Sequence, residues 1–167
     1  LLDCYPLSPV VATILGPVSK RKFGQNERSI FSFLASAEPF AFSEYLLARQ
    51  GSNLYEPDRF FDYLKANLDQ AILASSDGHR WAQACEAVSR VESRESATTI
   101  HLYLIKTIAL LDLFRMQSGL HAEQKLLCHI ALKPQQKIKE ALEALMCWSV
   151  IIFKKHLNAF AIFSGSD

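Results

Sequence analysis

Two short runs near the end of the chain, Val150-Ile151-Ile152-Phe153 and Phe160-Ala161-Ile162-Phe163, restrict the fold more than any other feature. Tetrads of β-branched and aromatic residues suit a pleated strand, and the short polar link between them, with its two lysines and Asn158, predicts a hairpin. Upstream the periodicity is helical. One apolar helix is expected over about 99–116, ending at Ser118-Gly119, and a shorter one over about 121–132, ending at Lys133-Pro134. A third is expected over about 135–148, with Ile138, Ala141, Leu142 and Leu145 on one face. Three helices, a glycine turn before the second and a closing hairpin make the order of a winged helix-turn-helix.

Everything before residue 92 reads as helix. Ser8-Pro9 is a cap followed by proline at the first helical position, opening a short helix to about Val18. The basic Ser19-Lys20-Arg21-Lys22 follows, and Phe23-Gly24 turns the chain into a helix capped by Asn26 and ended by Pro39. Ser43 caps a further helix closed by Gly51. Pro57 starts a longer one in which Phe60, Phe61, Leu64, Leu68, Ala71 and Ile72 recur at helical spacing. Asp77 caps another, carrying Trp81, Ala84, Cys85 and Val88. The polar stretch 92–98 lacks periodic apolar residues, so the expected division is a helical subdomain over 1–95 and a winged-helix domain over 96–167. The fold class expected is therefore mainly α.

Half the residues are apolar, enough for a real core in 167 residues, and 17 acids against 18 bases leave no global field to steer the molecule toward nucleic acid or an anionic membrane. Any such binding must be local. Cys4, Cys85, Cys128 and Cys147 form no CxxC pair, which argues against a zinc ribbon and for reduced thiols in a cytosol. Even the stretch 100–114 carries His101, Lys106 and Asp112, so no membrane span is expected and the protein reads as cytoplasmic. The chain opens on Leu1-Leu2-Asp3 without an initiator methionine or signal pattern and stops just after an apolar run, as an excised piece of a longer protein would.

Chemistry-bearing motifs are sparse. GxxxxGK[ST], GxSxG and HExxH are all missing, and the five histidines are too scattered for a metal site. The run 24–34 stands out because Arg28 falls in the first turn of the Asn26 helix, where a cation opposes the helix dipole by roughly 0.3–1 kcal/mol. An anion beside the free amides would explain the placement, phosphate being the commonest. Pairing of Arg28 with Glu27 or Glu38, or simple solvation, is the rival explanation and the slightly stronger one on local physics alone. In the third helix of the winged unit, Gln135, Gln136, Lys137 and Lys139 are exposed candidates for reading DNA, with Lys154, Lys155 and His156 on the wing. Glu140 and Glu143 share that helix, so a solvated charged face and a protein-docking element are the competing readings. The stripe of Phe23, Phe31, Phe33, Phe40, Phe42, Phe60 and Phe61 reads as core.

The stretches Tyr5-Pro6-Leu7-Ser8-Pro9 and Phe23-Gly24-Gln25-Asn26-Glu27-Arg28-Ser29-Ile30-Phe31-Ser32-Phe33-Leu34 resemble a segment of large bacterial P-loop ATPases of the AAA/STAND type, including those of phage-defence islands. Leu104-Ile105-Lys106-Thr107-Ile108-Ala109-Leu110-Leu111, Ser118-Gly119-Leu120 and Ile162-Phe163-Ser164-Gly165-Ser166-Asp167 are similar to the region that follows in such proteins. The resemblance implies a helical lid and a winged helix without the nucleotide-binding core. Arg28, with Gln25 and Asn26, would then sense nucleotide held by that core, and ATP and Mg²⁺ would belong to the parent rather than to this piece. It further implies a fragment that is not catalytic alone and couples nucleotide state to macromolecule binding. A DNA-binding winged-helix regulator and a protein-docking module are the alternatives.

Overall fold

The computed structural model describes residues 7–20, 38–42, 45–46, 54–131 and 133–165. Within them the protein is mainly helical, with a two-stranded antiparallel sheet near the C-terminus. Two compact units are separated, Leu1–Gly78 and His79–Asp167.

In the first unit, helix α1 spans Pro9–Lys20 and buries Val10, Val11, Ile14 and Val18 along one face. Its start is tied down by a parallel bridge between Leu7 and Tyr55, with Ser8 N–H donating to the Tyr55 carbonyl at 2.9 Å. Helix α2, Pro57–Asn67, has proline in its first turn and Asp58 beside it, where a carboxylate suits the helix dipole. It buries Phe60, Phe61, Tyr63 and Leu64. The longer helix expected from Pro57 is interrupted at Leu68, whose φ of −122° and ψ of 8° leave the helical region, and α3 covers Asp69–Leu73. Hydrogen bonds from Leu68 N–H to Leu64 and from Ile72 N–H to Leu68 carry the i, i+4 ladder through the break. The spacing of Leu64, Leu68 and Ile72 is thus helical although the element is not continuous. Positions 43 and 51, expected to cap and close a helix, lie outside the described residues.

Helix α4, Gly78–Glu92, follows the buried Asp77 and places Trp81, Ala84, Ala87, Val88 and Val91 inward. The polar stretch 92–98 connects it to α5, Thr99–Leu113, within the second unit. Leu104, Ile105, Thr107, Ile108, Ala109, Leu110, Leu111 and Leu113 are all buried, so α5 is apolar nearly all round and is the central helix of the unit. It stops short of residue 116: Phe114 leaves helical geometry, a single turn α6, Arg115–Ser118, follows, and Gly119 closes it in the left-handed region at φ 71°. Helices α7, Gln124–Ala131, and α8, Gln135–Cys147, come next, α8 burying the expected Ile138, Ala141, Leu142 and Leu145.

The hairpin forms as expected, shifted by a residue on each arm. Strand β1 is Ile151–Lys154 and β2 is Ala159–Ile162, paired Ile151 to Ile162 and Lys154 to Ala159, with Asn158 in the turn at φ 50°. All four residues of β2 are buried, and both β2 and α8 pack on α5. Ala122, in the connection before α7, makes an antiparallel bridge to Phe160, which donates its N–H to the Ala122 carbonyl at 2.9 Å. Among the described residues no helix is long and apolar enough to cross a membrane.

Candidate functional site

Side-chain direction on α8 follows from its buried row. With Ile138, Ala141, Leu142 and Leu145 facing α5, the opposite stripe is Gln136, Glu140, Glu143 and Cys147, all exposed. Lys137 and Lys139 flank it on either side and are exposed as well. Gln136 Nε2 donates to Glu140 Oε1 at 3.1 Å, so a carboxylate already occupies the glutamine amide that DNA reading would use. On the hairpin, Lys155 and His156 are exposed in the turn, whereas Lys154 is half-buried at the end of β1. Phe153 is 42% exposed and its ring meets that of Phe160 edge-on at 5.2 Å. The outward side of α8 therefore presents lysines and carboxylates together, and the hairpin presents lysines and one aromatic ring. A face of mixed sign suits polar protein docking better than a polyanion.

The candidates Gln25, Asn26 and Arg28, and the neighbouring Arg21 and Lys22, lie outside the described residues. Of the aromatic stripe expected in the core, Phe60 and Phe61 are buried, Phe42 is half-buried and Phe40 is 39% exposed; the others lie outside the described residues.

Two clusters escaped the sequence reading. In the first unit the Arg59 guanidinium lies 5.7, 5.5 and 5.9 Å from the ring centres of Phe40, Tyr45 and Tyr55. The backbone beneath them is held by side chains: Tyr55 Oη donates to the Phe40 carbonyl at 2.6 Å, and Asn67 Nδ2 to the Pro39 carbonyl at 2.8 Å. Phe40 itself sits at φ 64°, a strained position for an aromatic residue. Burial pushes the Tyr55 hydroxyl well above the usual phenol range despite the opposing field of Arg59. Tyr63 is raised by burial and by Glu38, to which it donates at 3.1 Å. Both phenols stay protonated donors.

In the second unit Trp148, which follows α8, gathers three basic side chains. Arg94 lies over its ring at 4.9 Å, and His101 meets it at 4.8 Å and 43°. Arg90 directs Nη2 to the Trp148 carbonyl and Nη1 to the Ser149 carbonyl, each at 3.4 Å. Cations suit these carbonyls because they end a helix, and Ser149 is in the left-handed region at φ 57°. His101 Nδ1 accepts the Thr98 N–H at 3.0 Å, which requires the neutral ring, and burial lowers its pKa in agreement. Neither arginine is paired with a carboxylate among the described residues. The only sequence signal for this cluster is the pair of arginines four residues apart, and nothing in it points to a tryptophan far along the chain.

No set of three His, Cys, Asp or Glu side chains converges to hold a metal ion among the described residues. Burial pushes the Cys128 thiol up, away from a reactive thiolate. Comparison of the chain with protein-family models, with curated proteins and with solved structures gives no match in any of the three.

Proposed function

We propose that this chain is an accessory part of a P-loop NTPase, in which a winged-helix module couples nucleotide state to the docking of another protein. The bridge between Ala122 and Phe160 carries the winged-helix reading. It ties the connection between α5 and α7 to the hairpin, a contact that a wing packed beside three helices would make. Protein docking is favoured over DNA reading by the outward stripe of α8. Glu140 and Glu143 lie at its middle, where a duplex would bring phosphates at about one charge per 1.7 Å of its axis.

DNA reading keeps one observation in its favour. The first turn of α8, which leads a reading helix into a groove, carries no acid and exposes Gln135, Gln136 and Lys137, with Lys139 next, and Lys154 and Lys155 lie on the hairpin. In the NTPase reading Arg28, with Gln25 and Asn26, senses the phosphates. ATP and Mg²⁺ would then be ligands of a separate nucleotide-binding core, since the sequence here includes no P-loop.

Titration of the chain against duplex DNA at low and moderate salt tests the choice. Only weak binding, in the range of about 10⁻⁴–10⁻⁶ M typical of non-specific contacts, is expected. Tight binding with a steep salt slope, lost in Lys154→Ala/Lys155→Ala, would overturn protein docking in favour of DNA. Joined to a nucleotide-binding core, Arg28→Ala is expected to alter ATP turnover; unchanged hydrolysis and affinity would remove Arg28 from the site.

A further inference from the structure

We infer that Arg90, Arg94 and Trp148 form the docking point for a short peptide segment of a partner protein that carries a carboxylate beside an apolar side chain. The inference rests on reading the second unit as a protein-docking module, and it names the face and the chemistry of the partner.

The first ground is unspent charge. Arg90 lies in the last turn of α4 and Arg94 just beyond its end, and both guanidiniums are exposed with no carboxylate partner among the described residues. Each is nevertheless held. Arg94 is stacked on the indole at 4.9 Å, and Arg90 forks onto the two carbonyls that end α8. A side chain already fixed in place loses less rotamer entropy when it meets a ligand. Stacking engages the face of the Arg94 guanidinium and leaves its edge donors for a planar carboxylate, which two such donors match.

The second ground is what the site would refuse. Arg94 and His101 both lie against the Trp148 ring, so the indole is not a platform for a nucleobase. Glu86, Glu92 and Glu95, all exposed on the same stretch of chain, would oppose a continuous polyanion but leave room for an isolated carboxylate. The third ground is an adjoining cleft of about 170 Å³ on whose rim Arg90 stands. Ala87 and Phe163 line it together with Gln83, Glu86, Ser164 and Gly165, so a small side chain entering beside the charged group would meet an apolar patch within a mixed lining. Tryptophan and arginine together are also the side chains that most often dominate binding energy at protein interfaces.

The test uses the full chain and a fluorescein-labelled peptide with a single Glu-Leu pair among Gly and Ser residues, with a peptide carrying Lys-Leu in its place as control, read by anisotropy. Saturable binding of the Glu-Leu peptide is expected, weakened about tenfold or more in Arg90→Gln/Arg94→Gln, and less in Arg90→Lys/Arg94→Lys, which keeps charge but not the fork. Urea unfolding of each variant, run in parallel, separates lost contacts from lost structure. Equal affinity in the Gln variant with folding intact, equal binding of the Lys-Leu peptide, or no binding at about 1 mM peptide would each overturn the proposal. Duplex DNA binding that disappears in the same variant would overturn it in favour of nucleic acid. Failure here leaves the hairpin face untouched, because that reading is tested separately with Lys154 and Lys155.

Discussion

A single missing methyl group decides how closely two segments of the first unit approach. A Cβ built on Gly78 would lie 2.0 Å from the Leu73 carbonyl oxygen and 2.8 Å from its carbon, both backbone atoms with no rotamer to move. Gly78→Ala must therefore displace the chain, and a loss of about 1–3 kcal/mol or more is expected. Gly16, inside α1, meets nothing near its Cβ position beyond its chain neighbours, but Pro17 follows it, and a proline ring disfavours helical backbone for a preceding residue that carries a Cβ, so Gly16→Ala is expected to change stability by less than about 0.5 kcal/mol. The urea unfolding midpoint should fall clearly for Gly78→Ala and move little for Gly16→Ala. Equal shifts would mean that the approach at Gly78 relaxes freely. Gly78 shows why such a constraint is invisible in sequence: the atom it must avoid belongs to a carbonyl brought near only by the turn at 74–77. The same holds for Trp148, since a local pattern cannot report which side chains from a distant helix will stack on it.

Elements were legible where the signal was local. The row Ile138, Ala141, Leu142 and Leu145 became the buried face of α8 because its spacing is that of the helix, and the two β-rich runs became paired strands because β-branched and aromatic tetrads joined by a short polar link suit a hairpin. Breaks within helices were not legible. Leu68 and Phe114 carry no glycine or proline, and α2 and α5 end at them although the apolar spacing runs on. The α8 face was readable as a charged surface, but which charges stand at its centre depended on knowing the buried row. At the start of α5 one element's stability should follow pH. His101 occupies the third helical position and accepts the Thr98 N–H through Nδ1, a bond that protonation abolishes, and a cation there also opposes the helix dipole. Its folded pKa lies below the unfolded value near 6.5, so the unfolded chain takes up the proton first as pH falls. Stability from this group is complete above about pH 6.5 and declines on acidification below it. His101→Gln retains an acceptor for the Thr98 N–H without a titrating proton. The variant is expected to show a flatter dependence of the urea midpoint between about pH 7 and 5.5 than the parent. Identical slopes in both would remove His101 as the cause.

At the scale of the molecule, the second unit contains what an independent domain requires. Its central helix α5 is covered by α8 and β2, and the core residues Leu104, Ile108, Leu111, Leu127, Ile138, Leu142, Leu145, Ile151 and Ile162 all come from within residues 79–167. Asp112 adds a polar tie inside the same unit. Its carbonyl accepts from Arg80, its Oδ2 accepts the Ile162 N–H at 3.4 Å, and its Oδ1 lies 3.8 Å from Arg115 Nη1. One residue, through its carbonyl and its carboxylate, thus joins the ends of α5, α4 and β2. A chain segment that buries its own apolar face has no thermodynamic need of a second body to fold. Residues 79–167 expressed alone are therefore expected to keep a helical far-ultraviolet signal, fixed near-ultraviolet bands from Trp81 and Trp148, and one cooperative urea transition. A broad transition with dye-binding apolar surface and lost near-ultraviolet bands would show that the core depends on residues 1–78. In that case the winged-helix reading would have to be replaced by a single folding unit in which the hairpin covers a core begun elsewhere.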